Sequence, residues 1–405
     1  MTGQVLDITR TVSRVGRGHP TGIDRVERAY IREFLRRFTK PLFLAKLTND
    51  FIVIDGPAMA EFVDAGFGVK LNGPIGVHDA LRLKLPKKQR RARAFLRGNA
   101  KWHFRKALGV ASITQNLSNG FEYTNVGHSN LDAGFLSLLK PAGCTNIRVM
   151  IHDMIPLDFP QYCKPDTPQA FRKKMQAVAA VVDQVICNSE YTRTRVREYF
   201  QNWPNSATYR VANLAVESHF KRCGGVKSTP ASFVVLGTIE PRKNHDFLLD
   251  VWEDISRTLS EKDVPILHII GKRGWENTSF FERLVQSAMY GTKVVEHNSL
   301  NDKDLNAILS TARALLFPSF AEGYGLPALE AMAAGIPVIC SDIPVFRELL
   351  KGQACLLPTG ESGKWAAKVI EISRQNTTLG SNFPVNDQKF EIPRWPAHFR
   401  HIFAK

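Results

Sequence analysis

The chain of 405 residues is 44% hydrophobic, 10% aromatic and 23% charged, a globular composition that excludes disordered and fibrous classes and suits two domains. No apolar run approaches the roughly 18–20 residues of a membrane span, and the arginine-bearing Met1–Pro20 has no apolar core, which argues against a secretory leader. The formal charge is +16, and six cysteines without a C-x-x-C pair read as reduced thiols of a cytoplasmic protein, not as a zinc or redox site.

In chain order, the first strand is predicted over Val5–Thr9. Gly16-Arg-Gly-His-Pro-Thr-Gly-Ile-Asp-Arg-Val26 follows and opens a helix over Gly22–Arg37. A strand is expected at Leu42–Leu47. From Arg82 to Lys106 the chain then carries Arg82, Lys84, Lys87, Lys88, Arg90, Arg91, Arg93, Arg97, Lys101, Arg105 and Lys106, and no acid. Leu83, Leu85, Phe95, Leu96, Trp102 and Phe104 are interleaved with them. Such a segment suits an anionic membrane surface first. A solvated helical hairpin broken at Pro86 and Gly98 is the plainer alternative, and nucleic-acid phosphates are the least favoured.

Strands follow at Tyr123–Gly127, Ile147–His152 and Val185–Cys187, with a helix over Pro168–Val182. The pattern breaks at Asn202–Ser206 and again over Arg222–Ser232. It resumes with strands at Phe233–Leu236, Ile266–Ile270, Val294–Glu296, Ala314–Phe317, Val338–Cys340 and Cys355–Leu357, and with helices over Asp302–Thr311, Gly325–Ala334 and Pro344–Leu350. Apolar strands alternating with helices predict an α/β fold of two Rossmann-like, doubly wound domains facing a cleft. The expected limits are 1–205, 206–385, and a terminal segment 386–405 whose helix returns to the first domain. Sheets of this kind take ligands at the carboxyl ends of their strands.

The densest chemistry lies in Phe317-Pro-Ser-Phe-Ala-Glu-Gly-Tyr-Gly-Leu-Pro-Ala-Leu-Glu-Ala-Met-Ala-Ala-Gly-Ile-Pro-Val-Ile-Cys340. A strand ends, a glycine-rich loop follows, and a helix starts near Leu326 with Pro327 in its first turn. A glycine loop feeding a helix N-terminus offers N–H groups and a dipole to a phosphate. Glu322 in the loop and Glu330 on the helix each suit paired hydroxyls, as of a ribose and a sugar either side of a diphosphate.

This stretch resembles the Glu-x7-Glu motif of retaining GT-B glycosyltransferases of the group 1 (family four) type. Gly237-Thr-Ile-Glu-Pro-Arg-Lys-Asn-His245 resembles that family's phosphate-binding segment, Ile269-Ile-Gly-Lys272 its next strand, and Asn188-Ser-Glu-Tyr-Thr192 the end of its N-terminal domain. The resemblance covers residues 145–360 well and the rest loosely. It implies that Glu330 binds the nucleotide ribose and Glu322 contacts the donor sugar. Gly323, Tyr324, Gly325 and Leu326 would offer backbone N–H groups, and Arg242 and Lys243 would neutralise the leaving diphosphate. Many members carry an Arg directly after the strand-end glycine; Thr238 stands there in this chain, and Arg242 is the candidate substitute.

The His152-Asp153 pair after Ile151 also matches the family, which implies His152 near the donor sugar and Asp153 bracing a loop or serving the acceptor. Gly22 is the residue singled out in the first glycine loop as lining the donor side, and His128 of Gly127-His-Ser129 is the remaining acceptor candidate. Asp24 and Arg25 either meet the acceptor or cap the helix. The implied activity is transfer of a hexose, mannose by preference, from a GDP- or UDP-linked donor with retention of configuration. No metal and no further cofactor is expected. The acceptor would be a glycan or a lipid-linked sugar of a surface polysaccharide, met at the inner face of the cytoplasmic membrane. A sugar-nucleotide epimerase or soluble disaccharide synthase on the same fold, a basic nucleic-acid-binding protein, and a catalytically dead scaffold are the alternatives.

Overall fold

The computed structural model describes residues 2–48, 50–105, 117, 120–216, 230–275, 277–298, 300–374 and 391–404. Two compact α/β units result. The first comprises residues 1–157, 164–214 and 395–405; the second comprises 158–163 and 215–394. The division thus falls after Leu214, not at residue 205. The reason is a strand, Thr208–Val211, that pairs with Gln184–Cys187 and so holds the chain in the first sheet past the expected break.

The first sheet has eight strands: β1 (Gly3–Asp7), β2 (Pro41–Leu47), β3 (Asp50–Asp55), β4 (Trp102–Arg105), β5 (Phe121–Asn125), β6 (Cys144–Ile151), β7 (Gln184–Cys187) and β8 (Thr208–Val211). Their order is β4-β3-β2-β1-β5-β6-β7-β8. Pairing is parallel from β2 to β8, while β3 runs antiparallel to both β2 and β4. Alternate residues of these strands, among them Val5, Tyr123, Ile147, Val149 and Val185, fill one core with Phe135 and Phe200. Apolar strands of this kind are stable only when helices cover both faces.

Helices α1 (Thr9–Arg14) and α2 (Gly22–Arg37) follow β1. A capping box between Thr21 and Asp24 starts α2 where the sequence predicts. Asp24 also takes Arg10 at 2.6 Å and Arg14 at 3.3 Å, so it and its neighbour Arg25 belong to the helix start. Helix α3 (Gly56–Asp64) is capped by Asp55, which accepts from the Ala58 N–H.

The basic segment is not a helical hairpin. A short helix α4 (Val77–Ala80) precedes it, α5 (Lys87–Gly98) occupies its middle, and the chain then enters the sheet as β4. Phe104 and Leu96 are buried, and Trp102 packs on the core. Arg93 and Arg97 both grip the buried Asp79, at 2.6 and 3.0 Å, and Arg97 also holds Asp50 at 2.7 Å. Lys106 lies outside the described residues, as do Cys223 and most of Arg222–Ser232.

The second sheet is wholly parallel: β9 (Ser232–Leu236), β10 (Ile266–Ile270), β11 (Val294–His297), β12 (Ala314–Phe317), β13 (Val338–Ser341) and β14 (Cys355–Leu357), in the order β11-β10-β9-β12-β13-β14. Order reverses between β9 and β12, the switch point at which such sheets bind ligands. Trp252 and Trp365 are fully buried against it. The terminal helix Trp395–Phe403 clusters with the first unit, where the Tyr30 hydroxyl bonds His398 at 2.8 Å. Five cysteines are free thiols among the described residues. No helix among them is long and apolar enough to cross a membrane.

Candidate active site

The carboxyl ends of β9 and β12 carry the site in the second unit. Beyond β9 the chain runs through Gly237 and Thr238 into a tight 3-10 turn, Pro241–Lys243. The Gly271 loop after β10 lies so close that a Cβ there would meet the Gly237 carbonyl at 1.7 Å. Asn244 takes a left-handed conformation (φ 57°) and starts the helix His245–Thr258. This sharp turn brings Arg242 and Lys243 back over the strand ends.

They meet the loop after β12. The Lys243 ammonium donates to Glu322 Oε1 at 2.5 Å, and Arg242 Nη1 lies 3.0 Å from Glu322 Oε2. Arg242 also donates to Glu240 Oε1 at 2.7 Å and to the Ala321 carbonyl at 2.6 Å. The Phe320 N–H donates to the Arg242 carbonyl at 3.0 Å, and Asn244 Nδ2 to the Pro318 carbonyl at 3.2 Å. Burial alone would push the Glu322 carboxyl up; the two cations outweigh it and hold it at about 2. The candidates Glu322, Arg242 and Lys243 therefore form one ionised cluster, 8%, 19% and 11% exposed. Arg242 sits against the same carboxylate as Lys243, while Thr238 is exposed.

Gly323, Tyr324 and Gly325 complete the turn into the helix Leu326–Ala333. Gly325 has φ 91°, and a Cβ there would strike the Phe346 ring at 2.6 Å, so no other residue fits. Glu330 is buried on that helix, and Tyr324 and Leu326 are buried beside it. Glu240 is a site residue that the sequence reading missed. One carboxylate beside a proline carries no signal until the turn folds it onto Arg242.

The first unit shows a different arrangement at its strand ends. Asp7, Asn125, His152 and Asn188 stand at or just past the ends of the adjacent strands β1, β5, β6 and β7. Hydrogen bonds link them into a row. The Tyr123 hydroxyl and Asn130 Nδ2 donate to Asp7 Oδ2 at 2.9 and 2.8 Å. His152 Nε2 bonds the Val126 carbonyl at 2.7 Å, and Asn188 Nδ2 donates to the His152 carbonyl at 2.8 Å. His128, at φ 59°, bonds the Met150 carbonyl through Nε2 at 2.9 Å and lies 5.0 Å from His152, ring to ring. Burial takes His152 down to about 4 and His128 well below its ordinary range. Both imidazoles are thus neutral, and the carbonyls assign the proton to Nε2, leaving Nδ1 as an acceptor. Asp153 accepts from the Ile155 N–H at 3.1 Å, bracing the loop. Gly22 is the exposed first residue of α2.

Glu27 is the second residue that sequence reading missed. It faces inward from α2, accepts from the Thr11 N–H, and leaves Gly127 no room for a side chain: a Cβ there would lie 2.1 Å from Glu27 Oε1. Burial raises its carboxyl to about 8. A signal existed, since Glu27 falls on the same helix face as the core residues Tyr30, Ile31 and Phe34.

Residues 218–382 match the family "Glycosyl transferases group 1". Among curated proteins, the chain is 28% identical over 239 residues to the serotype-specific mannosyltransferase WbdA of Escherichia coli, covering 55% of this chain and 29% of that one. It is 26% identical to the O-antigen chain mannosyltransferase B of Escherichia coli, covering 49% and 54%. It is 30% identical to the O-antigen chain mannosyltransferase RfbU of Salmonella typhimurium, covering 41% and 46%. The matched region spans between 29% and 54% of the length of these relatives. Among solved structures, sucrose-phosphate synthase from Thermosynechococcus elongatus superposes with TM-score 0.59 at 15% identity, covering 93% of this chain and 90% of the other. Anabaena Alr3699/HepE, solved with UDP and glucose, gives TM-score 0.59 at 14% identity with the same coverage. These likenesses carry the two-sheet fold across nearly the whole chain, and the family match falls on the unit that holds Glu322, Glu330 and Lys243. The chain has the two-domain GT-B fold, and residues 218–382 of its second unit resemble the group 1 glycosyltransferases.

Proposed function

We propose that the protein transfers a hexose, mannose by preference, from a GDP- or UDP-linked donor to a glycan or lipid-linked acceptor in surface-polysaccharide assembly. The observation that carries this reading is the ionised cluster of Lys243, Arg242 and Glu322 at the switch point of the second sheet. In the free protein the two cations are balanced by Glu322 and Glu240. A donor diphosphate takes their place on Lys243 and Arg242, and Glu322 turns its acceptor oxygens to the sugar hydroxyls. Glu330 takes the ribose hydroxyls. The positive charge is fixed before reaction and lies where negative charge grows as the diphosphate leaves. That arrangement supports departure of the diphosphate without a metal ion. Neutral His152 accepts a sugar hydroxyl through Nδ1, Gly22 lines the donor side, and Asp153 and His128 serve the acceptor side. No enzymatic nucleophile is assigned, so attack of the acceptor on the leaving group's own face, with retention, is the route proposed. The relatives' names favour mannose.

Thermal shift with UDP, GDP, ADP and their sugar conjugates tests this. A ligand at a hundred times its dissociation constant stabilises by about 2.7 kcal/mol. One nucleotide should raise the melting temperature and Glu330→Ala should abolish the rise. No shift with any donor would defeat the reading in favour of a dead scaffold.

A membrane surface is the second partner in this proposal, through a narrower face than Arg82–Lys106. Arg93 and Arg97 are spent on Asp79, and Phe104 on the core. The outward residues of this face include Lys84, Lys87 and Lys88 together with Val77, Leu81 and Leu83, which are 75%, 79% and 80% exposed. Lys87 and Lys88 stand in the first turn of α5, where the helix dipole disfavours cations. The buried Asp79 clamp thus fixes a loop whose aliphatic side chains are largely exposed. Anionic lipid satisfies both groups. Phosphatidylglycerol vesicles should retain the protein at low salt. Leu81→Ser with Leu83→Ser should cut retention about tenfold while nucleotide binding stays intact. Equal retention of the variant would remove the docking face.

A further inference from the structure

The hexapeptide Asp158–Cys163 belongs by its contacts to the second unit, although the chain on either side of it belongs to the first. It folds as a single 3-10 turn, Pro160–Tyr162, closed by bonds from the Tyr162 N–H to the Phe159 carbonyl and from the Cys163 N–H to the Pro160 carbonyl, both 3.0 Å. Its outstanding contact is aromatic. The Tyr162 ring lies flat on Phe320, with centroids 5.1 Å apart and planes 4° apart. Phe159 stacks on Tyr162 in turn, at 6.4 Å and 26°.

Phe320 stands two residues before Glu322 in the irregular stretch between β12 and the helix Leu326–Ala333. No strand or helix ladder fixes that stretch. On one side it is tied to the 3-10 turn after β9, through the Phe320 N–H to Arg242 carbonyl bond, the Arg242 to Ala321 carbonyl bond, and the Asn244 to Pro318 carbonyl bond. The Phe320 side chain is the loop's other handle, and the ring lying flat on it is Tyr162. A near-parallel stack resists both sliding and tilting of the ring. Because Phe320, Ala321 and Glu322 are consecutive, a displaced Phe320 carries the Glu322 carboxylate off its two cations.

We propose that Tyr162 is a positioning residue for Glu322. Its stack on Phe320 holds the Phe320–Glu322 backbone in the register that places the carboxylate between Arg242 and Lys243. It touches no reacting atom. Its hydroxyl plays no part in the stack, so phenylalanine should serve equally well and alanine should not. The catalytic consequence rests on the transferase reading above; the placement of the loop does not.

The test uses the full chain with Tyr162→Ala and Tyr162→Phe. Amide hydrogen exchange at Phe320, whose N–H is bonded to Arg242, should speed up about tenfold in the alanine variant. The phenylalanine variant should match wild type. Exchange in the helix His245–Thr258 should not change in either. In turnover of the sugar nucleotide identified by thermal shift, Tyr162→Ala should lower kcat at least tenfold. The dissociation constant for the free nucleoside diphosphate should move less than twofold, and Tyr162→Phe should restore kcat. Unchanged exchange at Phe320 in the alanine variant overturns the proposal. So does a full kcat in that variant, or a loss that tracks the melting temperature and nucleotide affinity together. A wild type that turns over no sugar nucleotide defeats the transferase reading instead, and the exchange result still decides whether Tyr162 holds the loop.

Discussion

The two sheets end in polar clusters of opposite electrical character. At the strand ends of the first, burial with little opposing charge shifts ionisable groups toward their neutral forms. Glu27 rises to about 8, Asp7 rises, and His152 falls to about 4. At the strand ends of the second, Glu322 is buried as well, yet it falls to about 2 because two cations share its carboxylate. In the first unit Arg10 is paired with Asp24, and Lys174 donates to the His128 carbonyl and not to a carboxylate of the row. Depth of burial therefore does not decide ionisation; the presence of a fixed counter-charge does. One sheet end becomes a neutral hydrogen-bonding wall, and the other keeps charges that an anionic ligand can claim.

The strongest way to break this contrast is Lys243→Ala. It should lower turnover by about a hundredfold or more if the ammonium carries the departing diphosphate; steady-state kinetics with the cognate donor would read it, and a loss under threefold would refute the role. Next comes Glu27→Gln. In the folded protein its carboxyl titrates near 8 against an ordinary 4.5. The unfolded chain releases that proton first, so the stability tied to it is complete below the ordinary value and is lost as pH rises through about 8. Wild type should lose stability between about pH 4.5 and pH 8 and level off above that, on the order of a few kcal/mol; the glutamine variant should not, as urea midpoints would show. Parallel pH profiles would mean that Glu27 is already ionised and that the wall is not neutral. The smallest effect sharpens the other side. Arg242→Ala should cost about tenfold in turnover, and adding Thr238→Arg should recover most of it. Failure of that rescue would show that Arg242 does more than supply charge at the diphosphate.

Elements that stop at identifiable side chains were legible. Gly22–Arg37, Asp302–Thr311 and Pro344–Leu350 match the expected helices, because Thr21, Asn301 and the Ile343-Pro344 step mark their starts. Three strands escaped reading. Trp102–Arg105 sits inside a run of basic residues, Asp50–Asp55 follows β2 too closely to separate, and Thr208–Val211 lies just past a break in the pattern. The glutamates and the Arg-Lys pair were visible because a glycine loop and a helix start surround them. Glu240, Glu27 and the row Asp7, Asn125 and Asn188 were not. Glu27 was marked only by its place on the buried face of α2. Glu240 gains its partner Arg242 only when the turn folds, and Asp7, Asn125 and Asn188 stand at the ends of separate strands, so no local spacing announces them. The same holds for Tyr162, whose partner Phe320 stands far along the chain.

The helix Trp395–Phe403 has a consequence for how the molecule is made. The Tyr30 hydroxyl meets His398 across 368 positions, and Phe34 and Tyr30 lie against the Phe403 and Phe399 rings. On a translating ribosome, at about 5–20 residues per second, Tyr30 waits roughly 20–70 seconds for that partner. For all of that interval an aromatic face of the first sheet's helical layer stands bare to solvent and to other nascent chains. The unit that is synthesised first is the one finished last, after the whole of the second sheet has emerged.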